Sequence, residues 1–253
     1  MSGRSTHRPE LGRRLVAELI GTGLLVTVVV GSGIAAQRLS PHETGLQLLE
    51  NSTATVFGLG VLILLFGPVS GAHFNPVVSA ADWALGRHAG TGLTGRDVAG
   101  YVAAQLIGGI AGAVLANAMF DLAPLQIATT TRASTGLWLG EIVATAGLVA
   151  VIFALARTGR ASLSAATVAG YIGAAYWFTS STSFANPAVT VGRMFSDTFA
   201  GIAPASAPGF VLAQLIGALL GAGLVLVLYP DAGHAAGAVV TPSAGSPSRT
   251  GVT

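Results

Sequence analysis

The chain has 253 residues, 52% of them hydrophobic and 9% charged, with a mean hydropathy of +0.71 and a formal net charge of +2. A soluble domain carries about a quarter charged residues, so this composition excludes one and identifies an integral membrane protein. The absence of Cys excludes disulfides and thiolate metal sites, and twelve basic residues, all Arg and placed between apolar runs, speak for membrane topology rather than a nucleic-acid surface.

Residues 1–10 are polar, with no small-residue cleavage site behind a short apolar core, and read as a cytoplasmic tail rather than a signal peptide. Six apolar runs then approach or exceed the roughly 20 residues needed to cross a bilayer. They are 15–36, interrupted only by Glu18; 51–68, with a start as early as Leu46; 98–120, between Asp97 and Asp121; 135–156, with Glu141 inside; 161–183; and 210–229. Two further apolar pieces, 75–85 and 186–195, are too short to span and are re-entrant candidates. Residues 230–253 are rich in Gly, Ala, Ser, Pro and Thr and are expected to be disordered. The folded domain is expected over 11–229, its halves at about 11–120 and 134–229.

Both short pieces open on Asn-Pro: Ser70-Gly-Ala-His73-Phe-Asn75-Pro76-Val77 and Ser183-Phe-Ala-Asn186-Pro187-Ala188. Pro fits the first turn of a helix, where its missing N–H is not needed. Asn before it is a good N-cap and is pushed out of helical geometry by that Pro. Each stretch therefore predicts a loop that turns abruptly into a half-helix. The two Asn lie 111 residues apart, and the spans around them also repeat. Ala17-Glu18-Leu-Ile-Gly21-Thr22 is echoed by Gly140-Glu141-Ile-Val-Ala144-Thr145, and Ala104-Gln105-Leu-Ile-Gly108-Gly109 by Ala213-Gln214-Leu-Ile-Gly217-Ala218. Three spans per half is an odd number, so the second half enters the membrane from the opposite side. The predicted fold is an all-α membrane protein: six transmembrane helices and two re-entrant half-helices in an inverted 3+3 repeat. With the N-terminus inside, nine Arg fall on that side and three (Arg38, Arg132, Arg193) on the other, which places both termini in the cytoplasm.

Non-helical backbone at membrane depth must be buried in protein or line a water-filled cavity. Half-helices entering from opposite faces meet N-terminus to N-terminus, each carrying roughly half a positive charge. Asn75 and Asn186 then face one another at the midplane. A neutral solute can accept hydrogen bonds from their amides, whereas a cation or hydrated proton meets two positive ends. The geometry predicts a passive pore for small uncharged molecules, needing no cofactor and no metal.

On these residues the chain resembles the aquaporin and glycerol-facilitator (major intrinsic protein) channels, over roughly residues 11–229. The resemblance implies a homotetramer in the lipid bilayer of the cell (inner) membrane, with one pore per subunit. The first motif departs from the family at Val77, where Ala is usual. Carried over by spacing from the Asn pair, the family's selectivity filter falls on Thr55, on Ala174 (Gly173 if the helix register slips), on Ser183 and on Val189. Val189 stands where the family usually has Arg, and the aromatic and His groups of water-specific members are also missing. The substitutions imply a wider, less polar constriction passing glycerol-like polyols or arsenous acid as well as water, and resemble bacterial members associated with arsenite movement. Thr190 stands where glycerol facilitators usually have Asp, which argues against a dedicated glycerol channel.

Arg193, four residues after Val189 on the same helix face, is a candidate to rim the outer vestibule in place of the missing Arg; the alternative is a snorkelling or loop-bonded side chain. His73 is a vestibule candidate or a fixed structural His. Glu18 and Glu141 are either proton-coupling carboxylates or acceptors for the unpaired N–H groups of the re-entrant loops, and their symmetric placement favours the second. Gln105 and Gln214 read as interhelical ties, and Gly108-xxx-Gly112 and Gly217-xxx-Gly221 as close helix crossings. Two other functions compete with the channel: an ion-coupled secondary transporter, which inverted repeats and broken helices also describe, and a junction protein that has lost permeability. A narrower, water-selective pore is the further alternative. No Ser-His-Asp, metal-ligand or P-loop pattern supports an enzyme.

Overall fold

The computed structural model describes residues 8–87 and 89–230. The predicted tail at 230–253 lies outside the described residues apart from Pro230, as do Arg4 and Arg249 of the charge count.

Eight α-helices follow in order among the described residues: α1 (Leu11–Leu39), α2 (Thr44–Ser70), α3 (Pro76–Gly86), α4 (Gly95–Met119), α5 (Thr135–Arg157), α6 (Ser164–Phe178), α7 (Pro187–Arg193) and α8 (Ala207–Leu228). Their ends follow local chemistry. Thr94 and Asp97 form a reciprocal capping box that opens α4, and Ser134 caps α5 through Leu137 N–H. Gly71, at φ +91°, closes α2 in the left-handed region. Asn75 and Asn186 cap α3 and α7, each followed by Pro at the first helical position.

Five helices (α1, α2, α4, α5, α8) are long and apolar enough to cross a bilayer. The sixth crossing is α6, and it is shorter than the apolar run 161–183 suggests. Its 15 residues span about 22 Å, and the 3₁₀ turn Ala161–Leu163 extends it at the start. At the far end a run of hydroxyl residues stops the helix. Thr179 Oγ1 bonds back to Ala175 O at 2.7 Å and Ser181 Oγ accepts from Ser183 N–H at 3.2 Å, so side chains compete with the helical ladder.

The two halves pack alike. α4 lies against α1, and α8 against α5, at glycines that leave no room for a Cβ. A Cβ on Gly112 would stand 2.1 Å from Gly23 O, and one on Gly221 2.4 Å from Ala146 O. Across the halves α2 packs on α6, α7 on α4 and α3 on α8, so each half-helix is seated partly by the opposite half. Backbone cannot yield as a flexible side chain can. Gly112→Val is therefore expected to cost about 1–3 kcal/mol or more through overpacking, lowering the melting midpoint of the detergent-solubilised protein by about 3–10 °C. An unchanged midpoint by circular dichroism would show that this crossing does not bear on stability.

Candidate functional site

The re-entrant loops have one backbone conformation, used twice. Gly71 (φ +91°), Ala72 (+48°) and Phe74 (+51°) precede Asn75 by four, three and one residues. Thr182 (+60°), Ser183 (+48°) and Ala185 (+47°) stand at the same distances before Asn186. Five of these six are not glycine, and each left-handed residue costs about 1–3 kcal/mol unless its surroundings hold it.

Buried carboxyl groups do the holding. Glu18 Oε1 accepts from His73 N–H at 3.0 Å and Ser70 Oγ at 2.6 Å, and Oε2 from Phe74 N–H and Gln105 Nε2, both at 2.7 Å. Glu141 accepts from Phe184 N–H and Ala185 N–H, both at 2.8 Å, and from Gln214 Nε2 at 2.6 Å. Each Gln reaches on into its half-helix, Gln105 to Ser79 Oγ and Gln214 to Thr190 Oγ1, four residues after the respective Asn. Neither Glu lines the central cavity, so their oxygens serve the loops and do not face a transported ion.

The Asn pair is joined reciprocally, though not amide to amide. Asn75 Nδ2 donates to Ala185 O at 2.8 Å, and Asn186 Nδ2 donates to Phe74 O at 2.7 Å. Asn75 Oδ1 accepts from Val77 N–H, and Asn186 Oδ1 from Ala188 and Val189 N–H. A primary amide has two N–H donors. With Oδ1 used for capping and one N–H for the opposite loop, each Asn keeps one N–H for the cavity both side chains line. The junction of the half-helices thus offers donors to the lumen.

That cavity has a volume of about 70 Å³ and is lined by residues of both loops and of the helices around them. Equivalent residues line it: Leu25 and Val29 on α1 match Leu148 and Ile152 on α5, seven and eleven residues after the paired Glu. Val78 and Val189, each three after its Asn, also match. Val189 is therefore the second-half copy of a valine that the first half also has. Val77 and Ala188 do not line the cavity; both are buried in the packing around it.

Thr55, Ser183 and Val189 all line the cavity. Ala174 does not, and Gly173 does not replace it. Ala174 is exposed, and a Cβ on Gly173 would run into Val56 of α2. The cavity face of α6 is Ser164, Val168, Ile172 and Tyr176. Ala174 sits two residues from both Ile172 and Tyr176, about 200° around the helix, on the opposite face. Counting back from Asn186 passes through the non-helical turn after Phe178 and arrives out of phase. The four-residue spacing of that stripe was the signal in the sequence that marks Tyr176.

Tyr176 is buried and its hydroxyl lies 3.2 Å from Thr55 Oγ1. Phe184 and Arg193 also line the cavity beside Ser183. The Arg193 guanidinium stacks 3.4 Å from the Phe184 ring centroid, and its Nε donates to Ala200 O. Asp82 is its counterpart, also seven after its Asn, and likewise ties down the loop beyond its half-helix, accepting from Leu93 N–H. Arg193 is thus both loop-bonded and cavity-lining. The cavity whose filter positions read as stripped of aromatic and guanidinium groups has Tyr176, Phe184 and Arg193 in its lining. His73 lines the cavity on the other side of the Asn pair, its Nδ1 3.1 Å from Ser79 Oγ and its ring edge-on to Tyr101.

Six crossings, two half-helices meeting inside the bundle and a cavity with donors at their junction define a multi-pass membrane channel for small neutral solutes. Residues 5–185 match the family model described as major intrinsic protein. The chain belongs to that family. It is 51% identical to aquaglyceroporin AqpS of Rhizobium meliloti (strain 1021), over 88% of this chain and 93% of that protein. It is 32% identical to aquaporin AqpM of Methanothermobacter thermautotrophicus, over 84% and 95%, and 30% identical to a glycerol uptake facilitator protein of Pseudomonas aeruginosa, over 87% and 90%. The X-ray structure of the aquaglyceroporin from Plasmodium falciparum has the same fold, with a TM-score of 0.62 at 19% identity, covering 88% of this chain and 99% of that one.

Proposed function

We propose that the chain conducts glycerol-like polyols and arsenous acid, together with water, down their gradients and excludes protons and ions. The observation that carries this reading is the reciprocal Asn75–Asn186 junction, which leaves one N–H on each amide for a lone-pair-bearing solute. Thr55, Ser183 and Val189 form the selectivity filter with apolar walls around them, and Arg193 supplies the positive charge that the family usually places at Val189. The names of two relatives, an aquaglyceroporin and a glycerol uptake facilitator, support a lumen that takes more than water. The channel works as a homotetramer in the cell (inner) membrane with both termini in the cytoplasm, an orientation supported by the Arg distribution.

Stopped-flow light scattering on proteoliposomes tests the reading. Glycerol and arsenous acid should each enter several times faster than into protein-free vesicles, and an imposed ion gradient should leave both rates unchanged. Passage of water alone refutes the solute reading, and gradient-dependent uptake favours a coupled transporter.

A further inference from the structure

We propose that Tyr176 is a specificity-determining residue of this pore, setting the size limit of its constriction and selecting solutes that donate hydroxyl hydrogen bonds. The inference rests on the channel reading above and deepens it.

The direction of the hydrogen bonds carries the argument. Thr55 Oγ1 lies 2.8 Å from Asn51 O. A carbonyl can only accept, so the single hydroxyl proton of Thr55 is committed there. The contact between Thr55 Oγ1 and the Tyr176 hydroxyl, at 3.2 Å, must then be donated by tyrosine. The Tyr176 oxygen keeps its remaining lone-pair capacity, and its side chain faces the cavity. Ser183 Oγ, of a residue lining the same cavity, is buried and has no partner. A solute leaving the Asn pair, where it meets donors, next meets a fixed acceptor on Tyr176 and a free hydroxyl on Ser183, with Val189 beside them.

Size follows from the same residue. Tyr176 comes from α6 and its partner from α2, 121 residues away, so the phenol is tied to the neighbouring helix of the other half of the repeat. It is 3% exposed, and its hydroxyl is held at Thr55. A small polyol or a metalloid hydroxide, with several donors on one edge, fits this arrangement. An ether or ketone of the same volume has no proton to give and leaves the phenol oxygen dry and unpaired.

The experiment compares wild type with Tyr176→Phe and Tyr176→Ala in proteoliposomes, using water, glycerol and the five-carbon polyol xylitol. Tyr176→Phe keeps the ring and removes the acceptor, so the glycerol-to-water ratio should fall about fivefold, the equivalent of one hydrogen bond. Tyr176→Ala opens the constriction, so the xylitol-to-glycerol ratio should rise about tenfold. Thr55→Val, which leaves the ring in place but unties it, should shift the xylitol ratio in the direction of Tyr176→Ala. Ratios within twofold of wild type in both Tyr176 variants overturn the assignment while leaving the channel intact. A wild-type protein passing neither water nor glycerol overturns the channel reading and the assignment with it.

Discussion

Glu141→Ala should leave little folded channel. It removes the acceptor for Phe184 N–H, Ala185 N–H and Gln214 Nε2, all buried. An orphaned buried donor costs about 1–3 kcal/mol, so three cost about 3–9 kcal/mol, a large part of the roughly 5–15 kcal/mol that holds a typical protein folded. The loss falls on a loop with left-handed residues at Thr182, Ser183 and Ala185, which loses its restraint at the same time. Glu18→Ala should act alike on the first loop, where four donors converge. Glu141→Gln keeps the volume and one acceptor but turns an amide NH₂ toward N–H groups, and should fall between. Size-exclusion profiles and thermal unfolding in detergent measure the series. A wild-type melting midpoint for Glu141→Ala would show that the carboxyl group does not hold the loop, and would reopen a transport role for it.

Val189→Arg should convert the pore toward a water-selective one. Val189 lines the same cavity as Thr55, Tyr176, Ser183 and Arg193. A guanidinium there adds volume inside the cavity that also holds the cation stacked on Phe184. Repulsion between the two directs the new side chain into the lumen. Glycerol flux in proteoliposomes is expected to fall by about tenfold or more, a barrier increase of about 1.4 kcal/mol, while water flux changes much less. The backbone N–H at this position caps into Asn186 Oδ1 whatever the side chain, so the substitution should leave the half-helix in place. Equal losses of glycerol and water would mean that Val189 does not discriminate between them.

Much of the fold was legible because it rests on one-dimensional signals. Apolar runs of span length, Asn-Pro at two helix starts and the twin Glu and Gln motifs each specify local structure or burial wherever the chain goes. Inversion of the repeat then follows from counting crossings. The least legible crossing was α6, because its apolar run continues into hydroxyl residues whose side chains end the helix before the hydrophobicity ends. Of the four positions expected at the filter, Thr55, Ser183 and Val189 line the cavity and Ala174 does not, because a count of residues stood in for a helix phase.

By itself, the sequence determined the class of molecule: a membrane-embedded inverted repeat with two capped half-helices, buried carboxyl groups to bind their loops, and glycines where helices cross. Each of these is a property of residue type and spacing. The tertiary structure alone decided how the side chains around the lumen pair with one another. It brought Tyr176 to Thr55 and Arg193 to Phe184, and turned Ala174 away. It also made the Asn pair bond to opposite loop carbonyls rather than to each other. Those outcomes depend on helix phase and on contacts between residues more than a hundred positions apart. No local signal encodes them, because a turn of two residues more or less rotates a helix face by about 200° without changing its composition.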